Sequence, residues 1–221
     1  MSVNVSTINQ QRNCPPQVVE DEEIFYPDND ESIIPEGILH FLLSVNLASM
    51  LMTFFAKREE VKVFGNVMLY YERGFPKKFI SPDLMVCFGL KASPTKVYKL
   101  WETNVVPSVV VEFASDTTWI NDVSSKLAIY QKLGVNEYYA YDVEYKHLPS
   151  PLTAYFLDNG ILTEVVVENK KIMSKCLGLE LVDTGETLRF FNPETNEFLM
   201  TMTEMAAELE RLKAEKQNDG N

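Results

Sequence analysis

The chain has 221 residues and a formal net charge of −12, and 46% of its residues are hydrophobic and 11% aromatic. This length and composition can bury a full core, which excludes a wholly disordered protein and predicts one domain with short appendages. The three cysteines Cys14, Cys87 and Cys176 form neither a CxxC pair nor an even disulfide set, so we expect a cytoplasmic protein. The polar first residues lack a signal-peptide pattern, and we expect no secretion.

The negative charge is concentrated at the two ends of the chain. Residues 1–36 hold eight acids and one base, and residues 201–221 hold five acids and three bases, which leaves residues 37–200 with a net charge of −3. Because nucleic-acid binding depends on Lys and Arg, the near-neutral core is compatible with a nucleic-acid partner, which the net charge of the whole chain disfavours. One basic cluster lies in a turn-like stretch, either as a phosphate-contacting rim or as a solvated hairpin tip: Arg73, Lys77 and Lys78.

The amino-terminal half begins with an acidic arm and a helix. Residues 1–32 are polar and punctuated by proline, which predicts an extended arm. Apolar residues from about 35 to 57 predict a helix, and polar residues such as His40 interrupt the run, which favours a buried helix over a membrane span. We therefore expect no membrane partner. β-branched and aromatic residues predict strands over 61–71, bulged at Gly65, and over 83–88, followed by a loop to residue 107.

The next segment predicts the centre of a sheet. Val109–Glu112 is almost wholly apolar, which is typical of a strand covered on both faces. A helix is predicted from Asn121, a suitable amino-terminal cap, to Leu133, with Gly134 as its stop, and another strand over 137–143. The order helix, strand, strand, strand, helix, strand predicts an α/β fold with a mixed β-sheet flanked by helices.

The carboxy-terminal part predicts a β-rich extension and a final helix. Turn sequences separate short predicted strands at 155–157, 162–167, 177–181, 188–191 and 197–199. We assign this extension to the same domain, residues 33–200. Apolar residues then recur at helical spacing in residues 201–221, which predicts an amphipathic helix and tail that either packs on the core or pairs two subunits as a homodimer.

Three groups of residues carry the chemistry of the chain: Ser81-Pro82-Asp83, Glu112, and the series Asp122, Lys126 and Tyr130. Two carboxylates at neighbouring strand ends can hold a hard divalent cation, and a nearby lysine can stabilise charge on a phosphate or help activate water. Plainer interpretations exist for each group: a turn at Asp83, a structural ion pair between Glu112 and Lys126, and an ordinary i, i+4 helix pair. These must explain every position separately, whereas the metal-site hypothesis explains them together.

Three segments in this order resemble the Uma family of restriction-endonuclease-like proteins, a branch of the PD-(D/E)XK nuclease superfamily: SPDLMVCFG, VPSVVVEFASDTTWINDVSSKLAIYQKLGVNEYYAYDV and CLGLEL. The resemblance runs from about Ile24 to Leu199 and is carried by the series E-x-x-S, D-x-x-x-K-x-x-x-Y and G-V-x-E-Y. It implies a restriction-endonuclease-like core in which Asp83 and Glu112 are the metal-binding carboxylates.

The sequence departs from a standard (D/E)-x-K site at one position. Such a site has a lysine two residues after Glu112, where this chain has Ala114. The resemblance implies that the helix supplies the lysine instead, as Lys126. It also implies a supporting shell around the site, formed by His40, Ser115, Asp122 and Tyr130.

The resulting hypothesis is a Mg²⁺- or Mn²⁺-dependent endonuclease that prefers DNA. Asp83, Glu112 and the main-chain carbonyl of Phe113 would bind the ion, which orients water for in-line attack on a phosphodiester. Lys126 would contact either the scissile phosphate or the attacking water. Two alternatives stay open: a catalytically degenerate module of the same fold that binds nucleic acid or protein, and another metal hydrolase on the same scaffold.

Overall fold

The computed structural model describes residues 24–27, 37–90, 92, 94, 96–114 and 122–219. Most of the predicted arm and the whole of Ser115 lie outside the described residues, and Asp122 is described in its backbone alone. Among the described helices, none has both the length and the apolar character needed to cross a bilayer.

The described elements are four helices and thirteen strands. The helices are α1 (Ile38–Phe54), α2 (Leu100–Thr103), α3 (Leu127–Leu133), which directly follows a π-helical turn (Asp122–Lys126), and α4 (Met202–Asp219). The strands are β1 (Val61–Phe64), β2 (Leu69–Tyr70), β3 (Phe79–Ile80), β4 (Leu84–Phe88), β5 (Tyr98–Lys99), β6 (Val109–Ala114), β7 (Glu137–Asp142), β8 (Leu152–Asp158), β9 (Ile161–Val165), β10 (Lys171–Ser174), β11 (Leu179–Asp183), β12 (Leu188–Asn192) and β13 (Glu197–Phe198).

A mixed six-stranded sheet forms the centre of the molecule, in the order β1-β4-β6-β7-β8-β9. Strands β6 and β7 pair in parallel and the other neighbours are antiparallel. The crossover between the parallel strands contains α3, because parallel neighbours need a long connection. Both β6 and β7 are buried along their whole length, as expected for central strands covered on both faces. The predicted α/β fold with a mixed sheet flanked by helices is confirmed.

The two faces of this sheet are covered by different elements. On one face, Leu47 of α1 belongs to the same buried cluster as Val111 and Phe113 of β6. On the other face, Tyr130 of α3 packs in a second cluster with Val110, also of β6. Alternate residues of β6 therefore face opposite layers, as the period of two in a strand requires.

The predicted β-rich extension is present, and it is divided between two sheets. Strands β8 and β9 extend the central sheet, while β10-β11-β12-β13 form a separate four-stranded antiparallel sheet. Leu181 and Phe190 of this second sheet are fully buried in the cluster that contains α1. The second sheet thus shares the core of the first.

Two predictions about the region before β6 were wrong. Residues 61–71 form two strands of different sheets instead of one bulged strand, because the chain turns away at Gly65, where an added Cβ atom would lie 3.3 Å from the carbonyl oxygen of Asp83. β2 joins β3 and β5 in a small third sheet. The predicted loop over 91–107 contains β5 and α2. β3 and β10 were not predicted from the sequence.

Candidate active site

Asp83 and Glu112 meet because β4 and β6 pair side by side. The antiparallel register sets Leu84 against Val111, which brings Asp83, one residue earlier, level with Glu112. The Asp83 backbone N–H donates to Oε2 of Glu112 at 3.4 Å, and the Phe113 N–H donates to Oδ2 of Asp83 at 2.6 Å. Two acids that are distant in sequence are therefore held next to each other by the backbone of the sheet.

Glu112 is a fully buried carboxylate with partners on both oxygens. Nζ of Lys126, the last residue of the π-helical turn, lies 2.8 Å from Oε2, and the Tyr130 hydroxyl donates to Oε1. Burial and the negative charge of Glu112 raise the pKa of Tyr130 well above its ordinary value, so its hydroxyl keeps the proton that it donates. The Lys126 side chain is 22% exposed, so its ammonium group connects the buried carboxylate with the surface.

Asp83 is contacted by α1 as well as by β6. Nε2 of His40 lies 3.2 Å from Oδ1 of Asp83, and the His40 ring packs edge-on against Phe113 with ring centroids 5.2 Å apart. Burial acts to raise the pKa of Asp83, but the neighbouring His40, the Lys126 charge and the Phe113 N–H together hold that pKa below its ordinary value. Asp83 is therefore ionised at neutral pH.

The structure brings together five of the seven residues singled out from the sequence: Asp83, Glu112, Lys126, His40 and Tyr130. Nothing is described for Ser115 or for the side chain of Asp122. One contributor was missed, the Phe113 N–H that anchors Asp83. Only the strand register could have indicated this donor, because a backbone N–H cannot be recognised from the type of side chain.

The donor set fits a hard divalent cation. Asp83 and Glu112 offer carboxylate oxygens, and Mg²⁺ is commonly held by one or two carboxylates, with waters and substrate phosphates as its other ligands. Among the described residues, no group of three or more His, Cys, Asp and Glu side chains has the geometry of a metal cage.

Comparison with known proteins gives one family match. A family model described as "Uma2: Putative restriction endonuclease" matches residues 16–184, well over half of the chain. No curated protein gives a significant match. Among solved structures, the chain is similar to a "putative nuclease belonging to DUF820" from Anabaena variabilis, with 11% sequence identity and a TM-score of 0.48, over 64% of this chain and 73% of that chain.

Proposed function

The chain belongs to the Uma2 family, described as putative restriction endonucleases, and on that premise we propose that it is a divalent-metal-dependent endonuclease that prefers DNA. The observation that supports this most is the contact of Lys126 with Glu112 beside Asp83. It joins two acids and one cation from three separate segments, with Asp83 directly before β4, Glu112 within β6 and Lys126 at the end of the π-helical turn. Two carboxylates and a cation are the groups that metal-assisted phosphodiester hydrolysis uses.

Each side chain has a proposed role in this reaction. Asp83 and Glu112, with the main-chain carbonyl of Phe113, would hold Mg²⁺ or Mn²⁺. When bound, such an ion lowers the pKa of a coordinated water and offsets the charge that develops on the phosphate. Lys126 lies within reach of the same place and contacts the scissile phosphate or the attacking water.

The supporting contacts keep the two carboxylates in place. Tyr130 fixes Oε1 of Glu112, which leaves Oε2 oriented toward Lys126. On the other side, His40 and the Phe113 N–H contact the two oxygens of Asp83. We assign Tyr130 and His40 as positioning residues, because restrained side chains lower the cost of assembling a reactive geometry.

We also propose that two copies associate through α4, so that both strands of a duplex can be cut. Leu209 and Leu212 of this helix are 53% and 42% exposed, whereas Met205, nearer its start, contacts Thr53 of α1. Leu209 follows Met205 by four residues and Leu212 follows Leu209 by three. This spacing of apolar residues favours pairing with a second helix. Light scattering of wild type and Leu209→Glu tests this: the wild type should be dimeric and the variant monomeric, whereas a monomeric wild type contradicts it.

A catalytically degenerate binding module is the second candidate. Lys126 and Tyr130 satisfy both oxygens of Glu112 without any metal, and a purely structural ion pair would have the same contacts. In that case Glu112 and Lys126 stabilise the fold, and their conservative replacement leaves any binding function intact.

Plasmid nicking in the presence of Mg²⁺ or Mn²⁺ distinguishes the two functions. We expect wild type to nick, and Asp83→Asn and Glu112→Gln to lose nicking by at least about 100-fold, because each removes one of two metal-binding charges. The matched control is Glu164→Gln, which changes an exposed carboxylate on β9. If all four proteins nick equally, the activity is a contaminant and the nuclease proposal fails. Metal binding without any nicking would favour another hydrolase.

A further inference from the structure

The hairpin loop between β2 and β3, residues 72–78, concentrates positive charge on an acidic protein. It holds one acid and three bases, Glu72, Arg73, Lys77 and Lys78, in a chain whose net charge is −12. All three basic residues are exposed. A local positive surface on a negatively charged molecule can attract a negatively charged partner.

An aromatic ring lies among these charges. Phe75 is 52% exposed at the tip of the loop, and Nζ of Lys78 lies 5.0 Å from its ring centroid. Lys78 is itself held by Glu72 at 2.6 Å. The ring is therefore kept at the surface with a cation beside it, which is the combination that stacks on a nucleic-acid base while contacting the backbone.

The loop is fixed in shape before any partner binds. The Lys78 N–H donates to the Phe75 carbonyl at 2.9 Å, and the Gly74 N–H donates to the Tyr26 hydroxyl at 2.8 Å. The Tyr26 ring packs against Tyr70 and Trp101, with centroids 5.0 and 5.1 Å away. A surface that is already ordered loses little conformational entropy on binding, which favours specific contacts over a loosely solvated tip.

The loop also lies close to the candidate active site along the chain. Lys78 precedes Asp83 by five residues, and β3 leads directly into the Ser81-Pro82-Asp83 segment. Five extended residues span at most about 17 Å, the length of about five base steps on one strand. A nucleic acid in the active site is thus within reach of this loop.

We propose that residues 72–78 bind nucleic acid, with Arg73 and Lys77 contacting backbone phosphates and Phe75 stacking on an unpaired base. The inference rests on the proposed nuclease function and adds a feature of its substrate: an unpaired base near the cut, in a duplex or in a single strand. A fully paired duplex retains the phosphate contacts and loses the stacking contact.

Fluorescence anisotropy with a labelled single-stranded oligonucleotide and the matching duplex, in EDTA, tests this surface without cleavage. We expect Arg73→Ala with Lys77→Ala to weaken single-strand binding about 25-fold at 0.1 M salt. Each lost phosphate contact lowers the slope of log affinity against log salt concentration by about 0.7, and two lost contacts correspond to about 25-fold at 0.1 M salt. Phe75→Ala should weaken binding to the single strand about tenfold and to the duplex much less, while Phe75→Trp should bind like wild type. The controls Lys175→Ala and Ile161→Ala change exposed residues elsewhere.

The outcomes separate this inference from the nuclease proposal. Binding of the loop variants within twofold of wild type overturns the inference, whatever their nicking activity, and so does a wild type that binds neither oligonucleotide. Lost binding in the loop variants with no nicking by any protein supports the inference and contradicts the nuclease. Lys77→Gln alone, at an exposed position, provides a conservative variant if the double variant fails to fold.

Discussion

Nζ of Lys126 lies 2.8 Å from Oε2 of Glu112, although the two residues belong to different elements and are 14 positions apart. Glu112 is completely buried in the central sheet, while the Lys126 side chain is 22% exposed. We propose that this lysine replaces the strand lysine of a standard (D/E)-x-K site, whose position is occupied here by Ala114. A lysine from a helix can make the same contact while keeping one side open to substrate.

Replacement of Lys126 separates metal binding from catalysis. We expect Lys126→Met to lower nicking by about 100-fold or more while Mn²⁺ binding is retained, because the carboxylates stay and only the group facing the phosphate is lost. Plasmid nicking and isothermal titration calorimetry measure the two effects. Lys132→Met, at an exposed position of α3, which directly follows the π-helical turn, is the control and should match wild type. Normal nicking by Lys126→Met would assign that lysine to structure alone.

Replacement of Tyr130 tests whether its hydrogen bond to Glu112 stabilises the protein and the candidate site. Tyr130→Phe removes the hydroxyl that donates to Oε1 and leaves the packing of a fully buried ring. We expect the free energy of unfolding to fall by about 1.5–3 kcal/mol, because a buried charged acceptor loses a donor. Nicking should fall by less than it does in Glu112→Gln. Tyr155→Phe, in the same aromatic row Tyr130–Tyr138–Tyr155, is the comparison, and an equal loss in both variants would argue against a specific role for the Glu112 contact.

The lowered pKa of Asp142 leads to a prediction about how the stability of the protein depends on pH. Burial acts to raise its pKa, but backbone N–H groups of Leu148, His147 and Glu144 outweigh burial and hold that pKa below the ordinary 3.8. A carboxyl with a depressed folded-state pKa stabilises the protein above its unfolded-state pKa, and this stabilisation is lost as the pH falls through the folded-state value.

Chemical denaturation between about pH 5 and about pH 2 should therefore show a shallower loss of stability in Asp142→Asn than in wild type. The amide cannot lose a stabilising charge on acidification. Asp158→Asn, at the exposed end of β8, is the control and should follow the wild-type curve. Identical slopes for wild type and Asp142→Asn would show that the loop after β7 draws no stability from this carboxylate.

Glu137 of β7 connects the two larger sheets through hydrogen bonds. If residues 33–200 form one domain, as the sequence predicts, weakening this connection should affect both sheets. The buried carboxylate of Glu137 accepts from the Tyr139 hydroxyl at 2.9 Å, from the Ser174 hydroxyl and from the Cys176 N–H at 3.0 Å. We expect Ser174→Ala to cost about 1–3 kcal/mol and to reduce amide protection in both sheets equally, because they share one core.

Native-state hydrogen exchange measures this protection strand by strand. Thr163→Ala, which removes an exposed hydroxyl on β9, should leave exchange unchanged. Loss of protection confined to β10–β13 would instead describe the second sheet as a separately unfolding unit.

Local patterns predicted the strands and the helix that carry the candidate site, and their approach to one another. The apolar run of β6, the helix stop at Gly134 and the spacing of Lys126 and Tyr130 are set by short-range rules, and the structure agrees with them. The approach of Asp83 to Glu112 followed once their strands were taken as neighbours. The catalytic roles of these residues stay predictions.

The rest depended on information that is absent from local sequence. Residues 67–71 keep a strand composition, and nothing in that composition tells which sheet the strand joins after Gly65. Strand β10 alternates charged and apolar residues so weakly that only its pairing with β11 defines it. The π-helical turn before α3 likewise leaves no signal, because Lys126 and Tyr130 have the same spacing in either kind of helix.

A crystal structure soaked in Mn²⁺ tests the central claim most directly, that Asp83 and Glu112 share one divalent cation. We expect an anomalous peak at about 2.0–2.3 Å from an oxygen of each carboxylate, with Lys126 turned toward the open side of the ion. No peak between the two carboxylates at saturating Mn²⁺, with Nζ of Lys126 still bonded to Glu112, would contradict the account.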